Sequence, residues 1–535
     1  MTFSDRIKGG IFAFDKGDDR FELNETESGE PPVFGKRRPV GAADTRADIP
    51  ERIPRSIEKL QKELERRFSS DVDHDLIMRR FLIAGRTPAL VVFMNGMADD
   101  AKVNEFLLRP LIRLEGTDTD PKALLNGAVE IAESATERDL SLALDSVLGG
   151  MTAVFIEGQR ECILSETRGF EKRAVEKAEN EQVVRGPKEG FTESLRTNIT
   201  LIRRILRVPD LVVRQRASGG RNNVKLAVIW RRGVTDERLL AEVERRLDGV
   251  DLAAVTSSGM LEQMTEDCPL SPIPQMLSTE RPDRAALHVM RGRVCIILDG
   301  CPQALILPVT FFTLMDSPED IYMRRPLGTV LRVVRFTGAV VSVLLPGYFL
   351  ALALYHQGVL STEVLSTVIA SRRMVFEPIG VEMLILLLIF QMIREAGQRV
   401  PGSIGQAIGI IGGLVMGQAA VTANLASSVV LIIVAASGLG NFCVPDYPTQ
   451  IAASYLRLAI VIAAWLGGLL GIVAAALLAV AHAAGLKSFG VPFLAPFAPR
   501  TFRTKPLVLR GPLSGQAADD ELNTAYDRRI RRREQ

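Results

Sequence analysis

"VPGSIGQAIGIIGGLVMGQAAVTANLASSVVLIIVAASGLGNFCVP", Val400–Pro445, is 46 residues without one charged side chain. From its end to Leu486 only Asp446 and Arg457 carry charge. A bilayer crossing needs about 20 apolar residues, and no core helix of a soluble domain needs an uncharged run this long. The stretch predicts membrane-embedded helices: two spans with a break near Asn424–Ser428.

Three more apolar segments surround it. Phe336–Tyr355 is free of charge, flanked by Arg332 and Arg335, with Pro346 inside. Pro378–Ile393 is shorter and holds Glu382, and Leu458–Leu486 is a further span. Together they give an all-α polytopic transmembrane domain of about five spans, with four to six open. Leu305–Met315 is too short to cross and reads as a dip into the interface. Arg324, Arg325, Arg332 and Arg335 favour a cytoplasmic N-terminal side. Five spans would then leave the C-terminal tail outside, yet its "YDRRIRRREQ" asks to be inside. Four spans with a buried hairpin, or six with a re-entrant piece, would remove the conflict.

Ahead of the spans the chain reads as soluble α/β. Over all 535 residues the charged fraction is 24% and the net charge +2, an average that hides how sharply the halves differ. Met1–Arg20 has mixed charge and no apolar core, so no signal peptide is expected. Residues 1–55 are polar and read as a flexible tail. Ile57, Leu60, Leu64 and Phe68 then fall on one helical face. Short β-like runs follow, among them Ala89–Gly96, Thr152–Gly158, Val294–Gly300 and a hairpin in Leu211–Trp230. Helices are expected in Lys102–Ile112, Phe191–Arg207 and Asp236–Leu247. The division is 1–55 tail, 56–185 and 186–325 as two α/β subdomains, 326–487 transmembrane, and 488–535 basic tail. "VFIEGQRECILSE" echoes "IILDGCPQALILP": strand, acid-Gly turn, strand. Two unrelated hairpins would give the same pattern, since such turns are common.

Catalytic and metal chemistry find no support. The five cysteines include no CxxC pair, and the four histidines are scattered. No Walker A, GxSxG or HExxH pattern occurs. The expectation is a non-enzyme without cofactor, metal or nucleic-acid partner. "RGPKEGFTESLRTN" (Arg185–Asn198) reads as a loop leading into a helix capped by Thr192.

Two constellations in the spans carry the functional expectation. Gly405, Gly409, Gly413 and Gly417 recur every fourth residue, and Ala463, Gly467, Gly471 and Ala475 repeat the pattern. Such stripes let helix backbones approach closely, within a chain or between copies. Ionisable groups in spans are rare and face protein or water. Glu382, Gln391, Arg394 and Glu395 are therefore the candidate pore or gating residues. Gln391 shares a helix face with Arg394 and Glu395, three and four residues on. The competing reading has Arg394-Glu395 simply end the span at the headgroups.

At "RGPKEGFTESLRTNITLIRR", "PEDIYMRRP", "IREAGQRVPGSIGQAIGIIGG", "GQAAVTAN" and "FCVPDY" the chain resembles the A subunits of bacterial spore germination receptors, the GerA family. The likeness runs from about Asp73 to Phe497. "NEFLLRPL", "GQAAVTANLAS" and "GLGNF" look closer to the SpoVAF branch. Gln391 departs from the Glu that members often carry there, which puts a mechanism needing that acid in doubt. The resemblance implies a protein of the inner spore membrane, its N-terminal region on the core side. It implies homo-oligomers that release monovalent cations, in contact with lipid and with B-type and C-type subunits or SpoVA proteins. A non-conducting scaffold and a secondary transporter are the rival classes.

Overall fold

Helix α1 (Ile57–Phe68) buries Ile57, Leu60, Leu64 and Phe68, the four residues spaced along one face. They close over a sheet of β1 (Leu76–Ile83), β2 (Thr87–Met94), β3 (Ser134–Glu137), β4 (Thr152–Ile156) and β5 (Cys162–Ser165), all antiparallel in the order β1-β2-β4-β5-β3. Side chains alternate along β2 as a strand requires. Leu90, Val92 and Met94 join α1 and α2 (Leu140–Leu148) on one face. Ala89, Val91 and Phe93 meet Val103, Leu107 and Leu111 on the other. The sheet is thus buried on both sides.

A second sheet comprises β6 (Leu211–Ala217), β7 (Lys225–Arg231), β8 (Leu277–Thr279), β9 (Val294–Leu298) and β10 (Ala304–Leu307), in the order β6-β7-β9-β10-β8. Counted within each sheet, the two orders are the same. The echoing segments are the β4–β5 and β9–β10 hairpins, so the echo belongs to a repeat of the whole sheet. Their turn glycines, Gly158 and Gly300, have φ of +83° and +82°, a region open to glycine and strained for branched residues. Helices α3 (Leu195–Ile205), α4 (Glu237–Asp248) and α5 (Pro282–Met290) accompany this sheet.

Two local readings are corrected. The cap of α3 is Ser194, which accepts from Thr197 N, while Thr192 is held by Asn198. Leu305–Met315 is no single interfacial segment: its first residues belong to β10, and Phe311–Met315 forms a short helix.

The computed structural model describes residues 51–68, 75–116, 119–169, 178, 181–217, 224–250, 255–399, 415 and 417–498. They form two compact units, one within 51–266 and 276–308, the other within 267–275 and 309–498.

The second unit is helical: α6 (Arg325–Tyr355), α7 (Thr362–Arg372), α8 (Ile379–Arg399), α9 (Ser428–Phe442) and α10 (Tyr447–Gly485). Glycines set the helix contacts. A Cβ on Gly338 would lie 2.7 Å from Cys443 Sγ, and one on Gly440 2.5 Å from Gly338 O. Gly347 meets Ile460, Gly380 meets the Trp465 ring, and Gly438 meets the Phe390 ring. These pairs fix directions. Gly338, midway along α6, lies beside Gly440 and Cys443, and Ser342 one turn on meets Ser437 one turn back, so α9 runs against α6. The first half of α10 runs with α6, Gly347 against Ile460 and Tyr355 against Gly468. Helix α8 starts beside Trp465 and passes Gly438 lower down.

At Gly468 (φ +57°, ψ −139°) α10 breaks. A Cβ on Gly471 would run into the Ala463 carbonyl, so the second half folds back on the first. Its end returns to the level of Phe336 in α6. There β11 (Lys487–Ser488) and β12 (Val491–Pro492) form a small hairpin. Ser488 Oγ accepts from Val309 N at 3.0 Å and donates to Gln275 O at 2.7 Å. Phe311 N donates to Phe493 O at 2.8 Å, and the Phe311 ring packs 6.3 Å from that of Phe336 in α6. The return leg after Gly468 rises roughly 26 Å and the stretch of α6 from Phe336 to Tyr355 roughly 28 Å, at 1.5 Å per residue.

Candidate functional site

The helical unit gathers its polar side chains in three places. The first is the foot of α6. Arg335 grips Asp320 with both terminal nitrogens, at 2.8 and 2.9 Å, and also donates to Met315 O. Arg332 donates to Asp320 at 2.9 Å and to Asp316 at 2.6 Å. Asp320 is fully buried. The "PEDIYMRRP" motif is therefore a splint: its acid locks two arginines one turn apart on the following helix. Arg324 and Arg325, within the motif itself, are exposed and do not bind Asp320. Of the four arginines that suggested orientation, Arg332 and Arg335 are matched by carboxylates.

The second place is the opposite end. Glu382 is buried, and its carboxylate accepts from Ser427 N at 2.6 Å and Arg372 Nε at 3.2 Å. Ser427 caps α9, so Glu382 sets a negative charge on that helix's N-terminus. Arg372 also donates to Glu377 O at 2.8 Å. Glu382 thus ties the end of α7 and the starts of α8 and α9 together. It does not face a water-filled path inside this chain.

The third place lies between α6, α8, α9 and α10. Arg457 Nη1 donates to Ser437 Oγ at 3.1 Å, and Ser437 Oγ donates to Ser342 O at 2.7 Å. Asn441 Nδ2 donates to Ser454 Oγ at 3.2 Å. Arg394, on α8, is buried as well. Arg394 and Arg457 are 7% and 3% exposed, so both guanidinium groups are taken from solvent. Among the described residues neither pairs with a carboxylate. Arg394 Nη1 and Nη2, Gln391 Oε1, Asn441 Oδ1 and Ser342 Oγ are buried without a hydrogen-bond partner.

The structure therefore separates the four candidate pore residues. Gln391 and Arg394 point into the helical unit, Glu395 is exposed, and Glu382 belongs to the clamp at the far end. The adjacent Arg394 and Glu395 face different surroundings. Of the first glycine ladder, Gly405, Gly409 and Gly413 lie outside the described residues, and a Cβ on Gly417 would make ordinary contact with Leu431 of α9. In the second ladder Gly467 faces open space and Gly471 closes on its own helix across the break. Among the described residues neither makes a close contact with another helix.

Sequence reasoning missed Asp320, Arg372, Tyr355 and the Ser437–Asn441 pair. Arg457 had a signal, being one of two charges between Val400 and Leu486. The other, Asp446, is the N-cap of α10 and accepts from Thr449 N at 2.9 Å. Tyr355 serves the break in α10: its hydroxyl donates to Trp465 O at 2.7 Å, a carbonyl that loses its helical partner at Gly468.

Residues 62–521 match the family described as Bacillus/Clostridium GerA spore germination protein. The chain is similar to Spore germination protein KA of Bacillus subtilis (strain 168), 33% identical over 79% of this chain and 79% of that one. It is 30% identical to the "Uncharacterized membrane protein YfkQ" of the same organism, over 82% and 86%. Among solved structures, the N-terminal domain of the A subunit of the Bacillus megaterium spore germinant receptor GerK3 aligns with 49% of this chain and 99% of its own, at 21% identity and a TM-score of 0.37.

Proposed function

The chain belongs to the GerA spore germination family, and from that premise we propose that it is a membrane subunit of a germination complex, several copies of which form a cation-conducting channel. The membrane reading is carried by α6 and α10. Both are long and apolar enough to cross a bilayer, yet only 33% and 28% of their apolar windows are buried within the chain. A core helix would be covered; these present outward faces such as Leu466, Leu470, Leu477 and Leu478, fit for lipid or further copies.

Six crossings form part of this reading. They are α6, α8, α9, the two halves of α10 and the span expected from the sequence after Val400, which lies outside the described residues. The bonds from residues 487–493 to Val309 and Phe311 support an even number, because they bring the end of the last leg back to the start of the first. Both soluble ends then share one side, the core side of the inner spore membrane. The division at residues 55, 185, 325 and 487 belongs to the same proposal.

Conduction is assigned to a ring of Glu395 side chains, one from each copy, at the mouth formed by the end of α8. A ring of carboxylates concentrates cations and excludes anions. The glycine ladder Gly405–Gly417 would let copies approach closely. B-type and C-type subunits, or SpoVA proteins if the chain is of the SpoVAF branch, would be its partners. A non-conducting scaffold is the second reading, and the buried pairing of Glu382 favours it, since that acid is withheld from any pore. The test is reversal potential in liposomes under a KCl gradient. A cation-selective current that weakens in Glu395→Gln supports the channel. Absence of current with germination intact supports the scaffold.

A further inference from the structure

We propose that the turn Arg372–Glu377, together with α7, is a lipid-seated anchor at the end of the spans away from Phe336, with Met374 and Phe376 lodged between headgroups and acyl chains. The proposal rests on the membrane reading above and names the surface this segment meets. Level is its first ground. The stretch of α6 from Phe336 to Tyr355 rises roughly 28 Å, and the hydrocarbon core of a bilayer is about 30 Å thick. The charged foot, where Arg332 and Arg335 hold Asp320, marks one border. Tyr355 marks the other. Gly468 lies against its ring, and Gly380, at the start of α8, lies against the ring of Trp465. Residues 356–378 therefore leave and re-enter the spans at one border, where Tyr and Trp are enriched in membrane proteins.

The build of the turn is the second ground. Arg372 closes it from both sides: its carbonyl accepts from Val375 N at 3.0 Å, and its Nη2 donates to Glu377 O at 2.8 Å. Arg372 Nε is held in turn by buried Glu382 at 3.2 Å. On this pinned turn Met374 is 74% exposed and Phe376 95%. In α7 Val368 is buried, while Val364 and Ile369, on either side of it around the helix, are exposed. In water each large apolar side chain would forfeit its transfer free energy. Continuity favours lipid over a protein cover. Leu466 and Leu470 face outward on either side of Gly468, so apolar surface runs along α10 to the level of the turn. The exposed charges Glu363 and Arg373 offset each other, so the attachment is apolar and needs no anionic headgroup.

The experiment uses the full-length chain in phosphatidylcholine vesicles. A nitroxide is attached to Phe376→Cys in a Cys443→Ser background, the four other cysteines being buried. Power saturation with oxygen and with a nickel chelate reads the depth of the label. Reference labels sit on Ser366→Cys, on the opposite side of α7 from Val368, and on Leu470→Cys. At Phe376 oxygen should prevail over the chelate and place the label about 5–10 Å into the boundary between headgroups and chains. Ser366→Cys should report water. Chelate access at Phe376 equal to that at Ser366 would overturn the anchor. So would exclusion of both reagents, which marks a cover by a second copy or another subunit. Leu470→Cys keeps the two readings apart. A lipid signal there with a water signal at Phe376 refutes the anchor alone, whereas water at both refutes the membrane reading too. Met374→Cys repeats the measurement on the second side chain, so a folding defect at one position leaves the test standing.

Discussion

Glu157 and Asp299 do the same work in the two sheets. Glu157 sits in the β4–β5 turn and accepts from Ile57 N, the first residue of α1, at 2.9 Å. Asp299 sits in the β9–β10 turn and accepts from Leu195 N, the first residue of α3, at 3.1 Å. The glycine after each acid donates to the carbonyl two residues ahead of the helix, Arg55 and Glu193 respectively. The repeat therefore reaches from strand order down to single hydrogen bonds.

Removing either carboxylate should free a helix N-terminus. Glu157→Ala and Asp299→Ala are each expected to cost about 1 kcal/mol, the usual scale for a lost helix-start acceptor. The two sites share no partner, so the double variant should cost about the sum. Hydrogen exchange at Ile57 and Leu195, with urea unfolding of the full chain, would measure this. Unchanged exchange at both amides would show that the turns do not hold the helices.

Gly158→Val and Gly300→Val test the same turns through the backbone. Both positions have positive φ, which a β-branched residue resists, while a Cβ at either meets nothing within 4 Å. The strain alone should cost about 1–3 kcal/mol. Parental melting of either variant would refute that account.

Tyr355→Phe removes the donor that serves the broken helix at Gly468. The bond is exposed, so its loss should cost about 0.5–1.5 kcal/mol. Gly468→Ala should cost more, because it forces a positive φ and puts a methyl 3.0 Å from the Tyr355 ring. Thermal unfolding in detergent ranks them. If Gly468→Ala is the milder change, the helix is straight there in solution.

At the foot of α6, Arg335→Met should be severe. It leaves buried Asp320 with half its partners, and breaking such pairs costs about 3–5 kcal/mol. Asp320→Leu combined with Arg335→Met should be milder than Arg335→Met alone. A double variant worse than the single would mean that Asp320 depends chiefly on Arg332.

Cysteine reactivity provides a further check. Burial, with the nearby Glu137 charge, pushes the Cys162 thiol up to about 12, and burial pushes Cys295 up as well. Both stay protonated near neutrality, and the thiolate is the reactive form. Iodoacetamide should modify partly exposed Cys443 first and these two only on unfolding. Early labelling of Cys162 in the folded protein would contradict the closed first sheet.

How much was legible follows from where the information lies. Helix α1 could be read because Ile57, Leu60, Leu64 and Phe68 carry its whole buried face. The hairpins could be read because Gly158 and Gly300 mark turns that few other residues enter. Spacing placed Gln391 with both Arg394 and Glu395, but only the packing of α8 against α9 and α10 decides which turns inward. Glu382 looked like a lone acid in a span because one partner, Ser427 N, is backbone and the other, Arg372, stands ten residues earlier, outside the apolar run. The reversal of α10 was hidden for a related reason: Gly468 stands next to Gly467 in a run that already reads as a packing stripe.

The seam that joins residues 487–493 to Val309 and Phe311 also orders events during synthesis. Val309 and Phe311 leave the ribosome ahead of every helix of the unit, while the partners of their amides are made only after the last one. Until then those amides must wait in water or in temporary contacts. The unit can close only when the final leg has been threaded back. A chain stopped at Gly485 would contain every described helix of the unit and still lack the stitch that shuts them.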